Sequence, residues 1–366
     1  MPCDRHEELV CGSFNVCILV TIDTWKDRQQ QGQRVLLRFP LPYRVGEDFR
    51  PGNGDEKIRC EAGAYAWLEE TDQMCQFHDL PSRYYRHSNR TQTSQDGVMG
   101  AGYLLIECID QDGETMLSNT WLEKQNDIKL RTNLFRDLSR IFNRPLSIEI
   151  QQLENEKIPT HIPRDYTYST VESYVMDMLA IHDSQLQNQP NAVNNLEDCA
   201  SQMSALAAMR TIFPLFFQQK FRRGPFTFTL TDLHQSNIFV DDNWHISRLV
   251  DLEWACSRPI EMVEMPYWLT NKGVDEIDAE EYNTIRMELM AALETEETKR
   301  SSSAGLADIG RSIPGLPATM EQVWASGTFS RSPVPQASSE YSTTISSPCY
   351  PIIFLRKSGR SCPFYG

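Results

Sequence analysis

The sequence of 366 residues lacks several patterns that would place it in a common class. No stretch approaches the roughly 18 consecutive apolar residues of a membrane span, and the opening MPCDRHEELV is charged where a signal peptide is apolar. We therefore expect a cytoplasmic protein with no membrane partner. Basic residues are scarce, with 35 Lys and Arg against 50 Asp and Glu, and the net charge of −15 argues against a nucleic-acid partner.

Two chemical motifs are also missing. The ten cysteines form no Cys-x-x-Cys pair and have no metal-type spacing, and several lie in apolar runs such as NVCILV. They are expected to be buried free thiols in a reducing compartment. No Gly-x-Ser-x-Gly occurs, which removes the simplest serine-hydrolase interpretation, and the scattered histidines indicate no histidine-based metal site.

The order of predicted elements indicates an α+β protein in two parts. Residues 9–40 have the pattern of strands and turns, 55–70 that of a helix, and 102–109 that of a buried strand. We expect a small, mostly antiparallel β lobe with one helix over residues 1–109. A larger, mainly helical lobe is expected over 110–300 because apolar residues recur there at steps of three and four.

The composition changes after Arg300. Residues 301–366 contain 14 Ser, 7 Pro and 6 Gly with few apolar clusters. This composition predicts a disordered tail.

The most informative stretch is TFTLTDLHQSNIFVDDNWHISRLVDLEWA, from Thr227 to Ala255. Asp232 and Asp251 each lie at the edge of an apolar run, where a charged group is costly unless it is paired. The pattern predicts a hairpin that brings both aspartates and Asn237 to one end. Two carboxylates and a carboxamide are hard oxygen ligands that suit Mg²⁺.

This stretch has a counterpart in a known family. Asp-x-x-x-x-Asn, followed about a dozen residues later by a strand-end Asp, resembles the phosphotransfer site of the protein-kinase-like fold. TDLHQSN with the following strands resembles the aminoglycoside phosphotransferase family, whose pattern is close to HGDLHxGN, strand, turn, IDWE. GSFN, VLLRFPLP and PYWLT are similar to phrases in its fungal members of unassigned substrate, and the weaker resemblance extends over residues 9–295.

The resemblance implies a protein-kinase-like two-lobed fold and a reaction. ATP, or another nucleoside triphosphate, would supply a γ-phosphate to a hydroxyl of a small acceptor, with Mg²⁺ as the second cofactor. Asp232 would position that hydroxyl and take its proton, and Asn237 and Asp251 would hold Mg²⁺. Glu253 could assist through water. The acceptor could be an amino sugar or amino alcohol, and the acidic balance slightly favours a cationic one; the oligomeric state is left open.

The resemblance also implies a nucleotide cradle in the first lobe. Gly12 and Ser13 lie where the family has its phosphate-covering turn. Arg38 lies at the position of the strand lysine that grips the phosphates, and Glu61 at the position of the helix glutamate that pairs with it. The strand LLIECI, which contains Glu107, would be the hinge whose backbone reads the adenine edge.

Two departures from the family pattern leave an alternative open. Arg38 replaces the usual lysine, although a guanidinium can also clamp phosphate. Leu230 replaces the histidine that often braces the catalytic loop, and His234 is expected to form hydrogen bonds within that loop. The alternative is therefore a pseudo-kinase that binds nucleotide without turnover. A hydrolase that uses the carboxylates without a nucleotide would leave GSFN unexplained.

Overall fold

The computed structural model describes the elements that surround the predicted site and most of the helical part. The described residues are 9–12, 14–21, 34–72, 85–87, 102–107, 113–142, 158–163, 166–190, 192–215, 217–230, 233–263, 265–272, 277–303 and 315–326.

The first part of the chain forms one antiparallel sheet. Its strands are β1 (Leu9–Cys11), β2 (Asn15–Thr21), β3 (Arg34–Pro40), β4 (Tyr85–His87) and β5 (Tyr103–Glu107). They are ordered β1-β2-β3-β5-β4, so β3 is the central strand. Arg38 lies opposite Cys17 on one side and Leu104 on the other. The Arg38 side chain therefore starts from the middle of the sheet, where it can contact residues outside the sheet.

One long helix, α1 (Asn53–Asp72), follows the sheet's central strand. Glu47 accepts hydrogen bonds from Gly52 N (2.6 Å) and Gly54 N (2.8 Å), which satisfies backbone donors at the start of the helix. Asp55 and Glu56 in the first turn favour the same end electrostatically.

The second part is mainly helical. Its helices are α2 (Leu117–Lys124), α3 (Ile128–Phe142), α4 (Val171–Asn188), α5 (Leu196–Ile212), α6 (Ala279–Ser303) and α7 (Leu316–Ser326). Side-chain caps fix several starts: Asp127 accepts from Lys129 N (2.9 Å), Thr170 from Ser173 N (3.3 Å), and Asn195 from Asp198 N (2.9 Å).

Two small antiparallel sheets carry the TFTLTDLHQSN stretch. The strands are β6 (Thr115–Met116), β7 (Phe226–Leu230), β8 (Ile238–Val240), β9 (Ile246–Leu249) and β10 (Ala255–Pro259). One sheet is β6-β8-β9 and the other is β7-β10. Ile238 pairs with Leu249, and Leu230 pairs with Ala255. The expected hairpin is therefore present, and both sheets end near residues 250–255.

A large apolar core joins these sheets to the surrounding helices. Its centre is a set of three buried indoles: Trp121 stacks on Trp244 with ring centroids 5.3 Å apart and meets Trp268 edge-on at 5.1 Å. A second core cluster lies between α4 and α5, around Val175, Leu179 and Met209.

The expected α+β fold class, a small antiparallel sheet with one helix and a larger helical part, is confirmed. The predicted disordered tail is wrong for two segments within 301–366. Helix α6 continues to Ser303, and α7 packs Leu316 and Met320 into the large core. Serine and proline dominate the composition of the tail and hid the short apolar pattern of LPATMEQVWAS. Within the described residues, no helix is long and apolar enough to cross a membrane.

Candidate nucleotide and metal site

Asp251 lies at the end of the β8–β9 hairpin, directly beside Asn237. Val250 N donates a hydrogen bond to Asn237 O (3.0 Å), and Asn237 N donates to His234 O (2.9 Å). Asp251 itself has a left-handed backbone, with φ 60° and ψ 49°, which is uncommon for a residue other than glycine. Its side chain is 33% exposed. The hairpin thus brings Asp251, with its partly exposed carboxylate, beside the backbone of Asn237. That their side chains share a metal ion stays a prediction.

Arg38 reaches this carboxylate from the sheet. Its Nη2 donates to Asp251 Oδ1 and to Glu253 Oε2 (2.9 Å), and its Nε lies 3.3 Å from Glu61 Oε1. Burial alone would lower the pKa of Arg38, but Glu61, Asp251 and Glu253 together raise it well above its ordinary value. The guanidinium is therefore permanently charged and joins β3, α1 and the hairpin.

Lys57, which the sequence-based prediction missed, is a second cation at the same place. Its Nζ donates to Glu253 Oε2 and to Asn15 Oδ1 (2.7 Å), and lies 3.9 Å from Glu61 Oε2. Asn15 Nδ2 also donates to Glu253 Oε2 (2.7 Å). One signal could have found Lys57: it is four residues before Glu61, so both lie on the same face of α1.

These side chains form a group that we name the cleft cluster, largely buried except at Asp251: Asn15, Arg38, Lys57, Glu61, Asp251 and Glu253. When all ionise, three carboxylates face two cations, and one negative charge is left over. Burial raises the pKa of Glu61. Burial also acts to raise the pKa of Glu253, but Lys57 and Arg38 outweigh it and hold that pKa below its usual value.

Glu253 has a different setting from the one the resemblance implied. Its side chain is only 2% exposed, and its Oε2 accepts hydrogen bonds from Asn15, Arg38 and Lys57. These protein donors surround the carboxylate oxygen that was expected to act through water. Glu253 is therefore an anchor for three elements of the first lobe.

The donor set fits a divalent cation. The excess carboxylate charge of the cleft cluster and the partly exposed Asp251 carboxylate are hard oxygen donors of the kind that Mg²⁺ takes, and the carboxamide of the nearby Asn237 would add another. Within the described ranges, no group of three or more His, Cys, Asp or Glu residues is arranged to hold a metal ion. Such a site would therefore depend on ligand oxygens and water, as Mg²⁺ sites at phosphates do.

The turn before β2 lies against the turn that follows Asp251. Gly12 N donates to Asn15 O (2.9 Å), and the Phe14 ring meets the Trp254 ring edge-on at 5.2 Å. A Cβ at Gly12 would be 3.6 Å from Asn15 O, an ordinary contact, so the protein itself does not require glycine there. Ser13 lies outside the described residues. The phosphate-covering role of Gly12 and Ser13 stays a prediction.

The loop that should carry the proton acceptor is described on both sides of Asp232, which itself lies outside the described residues. Trp268 Nε1 donates to Leu233 O (2.6 Å), so the PYWLT segment braces the loop. His234 Nδ1 accepts from Ser236 N (3.2 Å) and lies 2.8 Å from Ser236 Oγ, as expected for a histidine that orders its own loop. Burial lowers the pKa of His234.

The predicted hinge residue Glu107 ends β5 and pairs with Val35 through the backbone. Its main chain therefore lies beside β3, the central strand that carries Arg38. Its role in reading a base stays a prediction.

Comparisons with known proteins give only remote matches. No family model and no curated protein matches the chain. Among solved structures it is similar to a type I macrolide 2'-phosphotransferase, with 14% identity, a TM-score of 0.42, and 88% of this chain and 83% of that chain covered. An ethanolamine kinase from Plasmodium vivax has 12% identity and a TM-score of 0.40, with 88% and 80% covered.

A third similar structure is an aminoglycoside 2'-phosphotransferase-IIIa variant in complex with GDP. It has 12% identity and a TM-score of 0.39, with 88% of this chain and 91% of that chain covered. Similarity at this level carries no information about activity.

Proposed function

We propose that the protein is an ATP- and Mg²⁺-dependent phosphotransferase that moves a γ-phosphate to a hydroxyl of a small-molecule acceptor. One observation carries the proposal: Arg38 of the sheet meets Asp251 of the hairpin, and Glu61 of α1 holds the arginine in place. A cation and a carboxylate from separate lobes are the two groups needed for a phosphate and its metal.

The ion pair between Arg38 and Asp251 suits an exchange of partners. A planar guanidinium can bind phosphate oxygens through two hydrogen bonds, so Arg38 would take the nucleotide phosphates. Asp251, with Asn237, would hold Mg²⁺, which when bound neutralises charge on the β- and γ-phosphates. Arg38 would then pair with a phosphate in place of Asp251, and Asp251 with Mg²⁺ in place of Arg38. Both charges would therefore stay neutralised.

Asp232 would complete the reaction as the proton acceptor. The acceptor hydroxyl gives its proton to the carboxylate, its oxygen forms a bond to the γ-phosphorus, and the bond from that phosphorus to the ADP oxygen breaks. Two contacts just after Asp232, from Trp268 to Leu233 and from His234 to Ser236, would hold the loop still during transfer.

The test measures binding and turnover separately. Thermal unfolding with Mg-ATP at about 100 times its dissociation constant should raise the free energy of unfolding by about 2.7 kcal/mol. Incubation with Mg-ATP and a metabolite extract should then yield a small molecule heavier by one phosphoryl group. The absence of any stabilisation by Mg-ATP, Mg-GTP or their diphosphates would contradict nucleotide binding.

A second function has two observations in its favour. Arg38 and Asp251 already neutralise one another, and the buried Leu230 precedes the loop where the family has a histidine. A pseudo-kinase that binds nucleotide without transferring phosphate would need only these features. It predicts stabilisation by Mg-nucleotide with no consumption of ATP over a wide panel of acceptors.

A further inference from the structure

Lys57 has no role in the reaction described so far, yet its ammonium lies in the middle of the cleft cluster. Its side chain is 6% exposed. A buried ammonium is costly to desolvate unless charges and acceptors surround it. Here Glu253, Asn15 and Glu61 supply them. The buried Lys57 ammonium therefore costs desolvation free energy, which points to a functional role.

The hydrogen bonds at Glu253 show what Lys57 changes. A single oxygen, Oε2, accepts from Lys57 Nζ, Arg38 Nη2 (2.9 Å) and Asn15 Nδ2 (2.7 Å). Lys57 and Arg38 therefore share the charge of one carboxylate. Lys57 and Asn15 are in turn bonded to each other at 2.7 Å, which closes a ring of hydrogen bonds.

We propose that Lys57 is a positioning residue of the phosphate site, an inference that rests on the proposed function. It neutralises Glu253 and so leaves the Arg38 guanidinium able to exchange Asp251 for a nucleotide phosphate. Through Asn15 it also ties the turn that begins at Gly12 to the turn that follows Asp251. Lys57 acts through these neighbours and does not itself touch the nucleotide.

Charge balance gives the physical reason. Without Lys57, Arg38 is the one cation of the cleft cluster beside three carboxylates. The guanidinium would then be held by Glu61, Asp251 and Glu253 together, and a phosphate would have to displace it from all of them. Asn15 would lose the donor to its Oδ1 as well, and its buried amide would leave the turn less firmly placed.

The binding test uses four variants and the full chain. Lys57→Met removes the charge at similar length, Lys57→Arg keeps it, and K57M/E253Q removes both members of the pair. Lys129→Met, on an exposed position of α3, is the matched control. Dissociation constants for Mg-ATP are measured by calorimetry, well below each variant's unfolding temperature.

Lys57→Met should weaken Mg-ATP binding about tenfold, which corresponds to about 1.4 kcal/mol. Lys57→Arg should stay within about threefold of wild type because a cation remains. K57M/E253Q should bind more tightly than K57M, since a neutral glutamine no longer retains Arg38. Lys129→Met should bind as wild type does. A role in packing alone predicts no rescue by the second substitution, because it removes another contact.

A nucleotide-free measurement gives an independent result. The Nε–H resonance of Arg38, assigned by its loss in Arg38→Lys, should move in Lys57→Met and remain in place in Lys129→Met. Only Lys57→Met removes the cation that shares Glu253 with Arg38. We therefore expect the contacts of the guanidinium with its carboxylates to change in that variant alone. If Lys57→Met does not fold, the effect of the Lys57 charge is measured between Glu253→Gln and K57M/E253Q instead. Lys57→Arg is compared with wild type as before.

The outcomes separate the two proposals. If wild type binds Mg-ATP and Lys57→Met binds equally well with an unmoved Arg38 signal, the inference is wrong and the proposed function stands. If wild type binds no nucleotide, the proposed function fails and the positioning role fails with it. Weaker binding with rescue by E253Q supports both.

Discussion

Two clusters of polar and charged side chains in this molecule are built from similar residues but are bonded in different ways. The first is the cleft cluster. The second, which we name the hairpin cluster, consists of Asp137, Arg140, His245 and Glu296. Asp137 Oδ2 accepts from Ile246 N (3.1 Å) and lies 3.1 Å from His245 Nδ1, while its Oδ1 lies 3.3 Å from Arg140 Nη1.

The difference lies in the partners. Asp137 is bonded to the backbone of the strand it packs against, so its carboxylate cannot leave without exposing a main-chain donor. Among the described residues, the recorded bonds of Asp251 and Glu253 are to side chains from the other lobe. If the Asp137 carboxylate moved, the Ile246 N–H would lose its acceptor, whereas the carboxylates of the cleft cluster can separate from their cations when a phosphate takes their place. We therefore expect ligands to act on the cleft cluster and to leave the hairpin cluster unchanged.

The largest effects are expected at two aspartates, Asp251 of the cleft cluster and Asp232 of the loop before β8. Asp232→Ala should reduce phosphoryl transfer about 1000-fold, because the general base is lost, and leave nucleotide binding nearly intact. Asp251→Ala should weaken Mg-nucleotide binding about 100-fold, or about 2.7 kcal/mol. Calorimetry and a transfer assay measure the two quantities separately.

Asp242→Ala is the control for both aspartates, since Asp242 is exposed at the tip of the same hairpin. Normal transfer by both Asp232→Ala and Asp251→Ala would show that the site has been assigned to the wrong residues.

The next effect tests the hairpin cluster. Asp137→Ala should lower the free energy of unfolding by about 3 kcal/mol, because the buried Ile246 N–H loses its acceptor and Arg140 keeps Glu296 but loses one of its carboxylates. Chemical denaturation measures this loss, and nucleotide affinity should stay within about twofold because no ligand group moves. Glu61→Gln should show the opposite pattern, with weaker nucleotide binding and a smaller loss of stability. Equal behaviour of the two variants would remove the distinction between the clusters.

The sequence predicted the elements well and the contacts between them less well. Apolar runs located β2, β3 and the β8–β9 hairpin, and apolar residues at steps of three and four located the helical part. These are local signals. The bond from Asn15 to Glu253 joins residues 238 positions apart, and no local pattern predicts it.

Lys57 illustrates the limit for the site. Its spacing to Glu61 could be read from the sequence, but an exposed Lys–Glu pair on a helix has the same spacing. Only the packing of α1 against the turn at Leu252–Trp254 makes this lysine buried. Helix α7 was missed for a related reason, since a mean composition over 66 residues conceals 11 that form a helix.

The burial of α7 gives an apolar loss in the free energy of unfolding, with which the losses at the two charged clusters can be compared. Met320→Ala should lower the free energy of unfolding by about 2 kcal/mol, because Met320 is buried in the large core and a cavity would remain. Trp324→Ala, at a partly exposed ring that contacts Arg286 at 4.6 Å, should cost less. Both losses are measured by denaturation, and nucleotide affinity should not change. If Met320→Ala has no effect, α7 does not contribute to the core as described.

The smallest effect concerns a buried titratable group away from both clusters. His182 of α4 lies 3.0 Å from Gln185 Oε1 through its Nδ1, and burial lowers its pKa below the ordinary value of 6.5, although Gln185 and Asp183 act in the opposite direction. Because the folded pKa is the lower one, the unfolded chain binds the proton first, and stability falls as pH drops below about 6.5. His182→Gln should flatten this part of the stability curve between about pH 7.5 and about pH 5.5, as measured by denaturant titrations. An unchanged slope would mean that His182 binds its proton equally well in the folded and unfolded chains, contrary to the expected effect of burial.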